Sequence, residues 1–142
     1  MKIALGIDVG MDTGVACVGF FETSKKVIVL ARETIQDRKM IGGINNILHR
    51  YEMRHHPDYI LVELPIISRQ MTTNAEQLEA IVHRLKEALR DKKNVLYILP
   101  GQWKQTPSAD FVDFIGIKLS TRHEYDAARL CHWGFVYSGY FR

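Results

Sequence analysis

Apolar and small or polar positions alternate from the first residues of the chain. Ile3, Leu5, Ile7 and Val9 interleave with Ala4, Gly6 and Asp8, the period of two that marks a strand with two unlike faces. Residues 2–9, 15–21 and 27–33 read as successive strands, joined by turns at 10–14 and 23–26 that are short enough to make both pairings antiparallel hairpins. From Met40 the spacing changes. Met40, Ile41, Ile44, Ile47, Leu48 and Tyr51 recur at helical intervals, with Gly42-Gly43 weakening that helix. Pro57-Asp58 then breaks the chain ahead of Tyr59-Ile60-Leu61-Val62-Glu63, a continuous apolar run expected of a central strand covered on both faces.

The second half alternates helix and strand. Asn74 with Gln77 predicts an N-cap and capping box, and Leu78, Ile81, Val82, Leu85, Ala88 and Leu89 form one stripe behind it. Residues 95–99 read as a short strand ending at Pro100, Trp103-Lys104 as a turn, and 111–117 as a helix. Thr121 with Glu124 predicts a second capping box, opening a last helix that runs to about Gly134. Three antiparallel strands, then helix and strand in turn, then a closing helix, predict an α/β fold with a mixed β-sheet flanked by α-helices.

A chain of 142 residues has room for one domain, taken here as 1–142. Its 46% hydrophobic and 25% charged residues are those of a soluble globular protein. A net charge of +3 permits an anionic partner without requiring one. Basic residues gather at Lys25-Lys26, at 50–56 and at 90–93, and read either as solvated turns and helix ends or as phosphate contacts. No apolar run approaches a membrane span and no signal-peptide pattern opens the chain, so a cytoplasmic location is expected. Cys17 and Cys131 lie in apolar segments and read as small core residues of a reducing compartment.

The candidate chemistry lies in the acids. Asp8 sits on the small-residue face of a core strand, where an unpaired carboxylate is costly to bury. Glu63 ends another apolar strand. On the last helix the stripe of Ala127, Leu130, Cys131 and Gly134, extended one turn back, takes in His123 and Asp126. That pair reads either as a satisfied structural pair or, with Asp8 and Glu63, as a metal site. Three acids on three elements suggest a Mg²⁺- or Mn²⁺-dependent nuclease. Two ions roughly 4 Å apart would divide phosphodiester hydrolysis, one activating a water and one stabilising the leaving 3′ oxygen. Mg²⁺ favours oxygen ligands and retains waters, whereas a histidine ligand makes Mn²⁺ a plausible alternative. Asp8, on the most central strand, is the candidate to bridge both.

Gly6-Ile7-Asp8-Val9-Gly10 with Thr13-Gly14, then Val62-Glu63, then His123-Glu124-Tyr125-Asp126-Ala127, resemble in order and spacing the RuvC-type Holliday junction resolvases of the ribonuclease H-like superfamily. The resemblance spans nearly the whole chain, and its most specific piece is the final H-x-x-D-A. Trp103-Lys104 and the short length are similar to compact phage-type members. The resemblance implies a ribonuclease H-like fold and a dimeric endonuclease that cuts four-way DNA junctions with bound Mg²⁺ or Mn²⁺. It also implies that Asp8, Glu63, His123 and Asp126 are the catalytic, metal-binding set. The chain departs from the bacterial pattern at three places. Val9 stands where Pro is usual, 106–113 has Asp110 and Asp113 and no glycine where a Gly-rich basic loop is usual, and Leu64-Pro65-Ile66-Ile67 replaces an aromatic wedge.

With no recognition helix or zinc motif, DNA binding would rest on phosphate contacts, for which Arg69, Lys104, Lys118 and Arg122 are the candidates. Each reads equally as ordinary surface charge. Two paired nicks in a junction require two sites, so a two-fold homodimer is expected, with the helix of residues 75–91 offering Ala75, Ala80, His83 and Glu87. Three other readings stay open. D-x-G-x-x-x-G between antiparallel strands also fits the phosphate loop of actin- and sugar-kinase-like folds, which need a second domain. YqgF-type nucleases acting on RNA precursors share the Asp-x-Gly motif. The third is a catalytically inactive structural or binding domain, against which the intact set of four candidate ligands argues.

Overall fold

The alternation of the first strand separates two cores. The computed structural model describes residues 1–67, 74–105 and 115–141. In β1 (Lys2–Asp8), Leu5 and Ile7 pack on one side of the sheet, with Val9 just beyond, while Ala4 packs on the other. The same sorting continues through β2 (Asp12–Phe21), where Val15 and Cys17 join the first core and Ala16, Val18 and Phe20 the second. β3 (Lys26–Gln36) completes the antiparallel part and runs directly into α1 (Asp37–His55). β4 (Tyr59–Glu63) is the predicted two-faced strand: Ile60 and Val62 enter one core, Leu61 the other.

α2 (Ala75–Leu89), β5 (Val95–Ile98), α3 (Pro100–Trp103), β6 (Ile115–Gly116) and α4 (Arg122–Val136) follow. The six strands lie in the order β5-β4-β1-β2-β3-β6. β4 is parallel to β1, β5 to β4, and β6 to β3. The expected mixed sheet flanked by helices is therefore present, with α1 and α2 on one face and α4 on the other.

α4 lies unusually close to the sheet because two strand positions have no side chain. A Cβ on Gly6 would stand 2.3 Å from the carbonyl oxygen of Ala127 and 2.7 Å from Cys131 Sγ, and one on Gly14 would stand 2.0 Å from the carbonyl oxygen of His123. Backbone atoms cannot step aside as a flexible side chain does, so these two glycines set the height of the helix over β1 and β2.

Several local expectations change. Asn74 occupies the N-cap of α2, but its side chain makes no capping bond. The helix is held by its buried stripe instead: Ile81, Leu85 and Leu89 are almost fully covered. Each such side chain contributes about 1.5–3 kcal/mol, more than the roughly 1 kcal/mol of a cap. Trp103 belongs to the short helix α3 rather than to a turn. Of the helix expected at 111–117, residues 111–114 lie outside the described residues, and Ile115–Gly116 form an edge strand beside Ile28 and Val29 of β3. Cys17 and Cys131 are free and buried, as expected. Among the described residues, no helix is long and apolar enough to cross a membrane.

Candidate active site

Asp8 and Glu63 are direct partners in the parallel register of β1 and β4. Each is the last residue of its strand. Both therefore sit at the carboxyl ends of parallel strands, the end at which open α/β sheets present their sites. In-register side chains share a face, and here that face is the one covered by α4. Their side chains are only 13% and 5% exposed. Burial pushes the Asp8 carboxyl up to about 8, and the charge of Glu63, a hydrogen bond with it and the charge of Asp126 act in the same direction, opposed by Lys104. The shift reports burial first and the neighbouring acids second.

α4 supplies the other half. His123 Nδ1 stands 3.9 Å from Asp8 Oδ2, too far for a direct hydrogen bond. The predicted set is thus brought together: Asp8 and Glu63 by strand register, His123 and Asp126 by the first turns of α4. Among the described residues, no three His, Cys, Asp or Glu side chains form a closed ligating group as they stand. Glu63 is turned instead toward α3, where the Trp103 indole N–H donates to its Oε2 and Lys104 Nζ lies 3.2 Å from its Oε1. The donor chemistry suits a hard divalent cation: three carboxylates on separate elements and one imidazole, with Lys104 the cation that stands against them.

The start of α4 is fixed by a second carboxylate, Glu124, whose role extends beyond the expected capping box. Thr121 caps the helix as expected, its hydroxyl accepting from the Glu124 N–H at 3.1 Å. The reciprocal half of the box is different. The Glu124 side chain reaches the Ser120 N–H at 3.1 Å and hydroxyl at 3.0 Å, the Thr34 hydroxyl at 2.8 Å, and Arg32 Nε at 3.3 Å. Glu124 is buried, 1% exposed. Desolvation raises its pKa, yet the hydrogen bonds from Thr34 and Ser120 and the charge of Arg32 bring it below the ordinary value. Glu124 so ties the N-terminus of α4 to β3 and aims its neighbours His123 and Asp126 at Asp8. Hydroxyl donors 90 residues away along the chain gave no local signal of this role.

The turn between β1 and β2 is closed by Thr13, fully buried, whose hydroxyl donates to the Gly10 carbonyl at 3.2 Å. Lys104, expected on DNA, reaches into the acidic cluster. Lys118 and Arg122 are exposed on the approach to α4, the Lys118 carbonyl accepting from Arg32 Nε at 3.1 Å. Arg69 lies outside the described residues.

No protein-family model and no curated protein sequence matches this chain. Among solved structures, the fold is similar to Thermus thermophilus RuvC in complex with Holliday junction substrate, with a TM-score of 0.72 and 17% identity over 95% of this chain and 96% of that one. It is also similar to the yeast mitochondrial Holliday junction resolvase Ydc2, with a TM-score of 0.55 and 15% identity over 92% and 75% of the two chains. The fowlpox virus resolvase with substrate Holliday junction DNA gives a TM-score of 0.56 and 14% identity over 89% and 94%. The architecture is therefore that of the RuvC-type resolvases, within the ribonuclease H-like fold.

Proposed function

We propose that this chain is a Mg²⁺- or Mn²⁺-dependent endonuclease that hydrolyses phosphodiester bonds in branched DNA, with the four-way junction as substrate. The observation that carries the reading is the Asp8–Glu63 register pair beneath His123 and Asp126, on a resolvase fold, with a carboxyl pushed far above its ordinary range by burial and neighbouring acids. Asp8, Glu63, His123 and Asp126 would hold the metal. When bound, two ions supply an activated water and neutralise the leaving oxygen. The chain itself contributes the rest. Asp8, at the centre of the sheet, would give up its proton to a bound cation from a fixed position, and Glu63 and Asp126 flank it from β4 and α4. His123, 44% exposed, borders the side open to a phosphate.

Lys118 and Arg122, with Arg69, would hold flanking phosphates, and Lys104 would do so from inside the cluster. Paired nicks in a two-fold junction call for a two-fold homodimer. α2 offers its outer face for this: His83 and Glu87 are exposed, Ala75 and Ala80 partly so. The test is cleavage of labelled four-way junction, duplex and RNA substrates with and without Mg²⁺ or Mn²⁺. Metal-dependent, paired nicking of the junction alone is expected. Preferred cleavage of RNA would move the reading to a YqgF-like nuclease, and metal-independent or absent cleavage would overturn it. No observation favours the nucleotide-binding alternative.

A further inference from the structure

We propose that Trp103 and Lys104 are positioning residues for Glu63, the indole holding one carboxylate oxygen permanently and the ammonium standing on the other as a cation that a divalent ion displaces. This rests on the metal-site reading above.

The two contacts differ in kind. Trp103 has no exposed surface, and a buried indole N–H requires an acceptor. It donates to Glu63 Oε2, across the gap between α3 and the end of β4. The ring is held from behind as well, with the Arg129 guanidinium 5.0 Å from its centroid and Arg129 donating to the Lys104 carbonyl at 3.3 Å. Gln102 Oε1 accepts the Leu99 N–H at 2.7 Å and so pins the start of α3. An indole fixed in this way cannot release its oxygen without unpacking the core in which it is buried.

Lys104 is different. Its Nζ is 3.2 Å from Oε1, and its side chain is 41% exposed. An ammonium on a flexible stem can swing into water at little cost. Oε1 is therefore the oxygen open to exchange, and an ion arriving there replaces one positive neighbour with another. Glu63 would offer Oε1 first, because Oε2 already accepts from the indole. The adjacent pair thus separates two tasks, aiming the carboxylate and screening it until metal arrives.

The experiment is Mn²⁺ binding by calorimetry to the full chain, without DNA, in the wild type, Lys104→Met and Trp103→Phe. Removing the competing cation should tighten binding up to about fivefold. Removing the indole donor should weaken it about tenfold or more, the usual effect of losing a group that orients a ligand. A merely structural lysine would not give tighter binding on removal. Wild-type affinity in Lys104→Met, or in a folded Trp103→Phe, overturns the proposal while leaving the metal site standing. A wild-type chain that binds no Mn²⁺ overturns both. Should Trp103→Phe fail to fold, fluorescence decides. The chain has two tryptophans, so in a Trp133→Phe background, excited beyond the tyrosine absorption, the emission reports Trp103. Its emission should change with Mg²⁺ and stop doing so when Glu63→Gln is added; a flat Mg²⁺ titration overturns the proposal.

Discussion

Glu124, buried, and Asp8, largely covered, are carboxylates at the same end of the sheet, and their surroundings are opposite. Glu124 is surrounded by donors: two hydroxyls, a backbone N–H and a guanidinium. Asp8 is surrounded by acids, with Glu63 and Asp126 adding to its desolvation. One carboxyl is held below its ordinary pKa and the other far above it. The fold surrounds the carboxylate that positions α4 with donors and sets the one beneath it against another acid. A buried acid that stabilises and a buried acid that awaits a ligand can be told apart by what their neighbours offer.

Neutralising each acid in turn should separate the two roles. Asp8→Asn should reduce junction cleavage on the order of 10³-fold while raising the melting temperature of the metal-free protein at pH 8. Equal cleavage by the variant in a labelled-junction assay would break the contrast at its most important point. Gly14→Ala should come next, since its methyl collides with the backbone of His123. We expect a loss of about 1–3 kcal/mol by urea denaturation, with cleavage lost through displacement of α4. Glu124→Ala should cost about 1–3 kcal/mol by leaving its donors unpaired, and should reduce cleavage less than Asp8→Asn does.

The pH dependence follows from the signs. The folded chain keeps the Asp8 proton between 3.8 and about 8, where the unfolded chain has released it, so this group makes metal-free stability fall as pH rises through that window. Glu124 acts the other way: its contribution is present above the ordinary carboxylate range and is lost as pH falls below it. Melting curves of wild type and Asp8→Asn should diverge at the alkaline end and converge at the acid end. The smallest effects belong to the exposed cations. Lys118→Ala or Arg122→Ala should weaken junction binding alike for all sequences and lower the salt slope by about one each.

Much of this arrangement is legible in the chain. The period of two in β1 and the unbroken apolar run of β4 announce which strands are central, and a lone acid at the end of each marks the site. His123 and Asp126 follow from extending the α4 stripe by one turn. Other features have no local pattern to reveal them. β6 is two residues long and shows no periodicity. Trp103 finds its acceptor 40 residues away, so its indole looks like one more core ring. Glu124 was assigned to the capping box because the box is a local motif, whereas the donors from β3 that bury it are brought by topology alone. Asn74 shows the reverse error, a good local cap signal that the folded helix leaves unused.

The pairing of Asp8 with Glu63 has a consequence for how such a site can vary. Their spacing belongs to neither a loop nor a rotamer; it is a rung of the β1–β4 ladder. Lengthening a connection changes nothing about it, and slipping the register by one residue would turn every side chain of β4 over. Glu63 would then enter the aliphatic layer of Leu5 and Ile7, and Val62 would face α4. The separation of the two acids therefore cannot be tuned in small steps. Insertions and deletions can remodel what surrounds the pair, but the pair itself comes whole or is lost with the sheet.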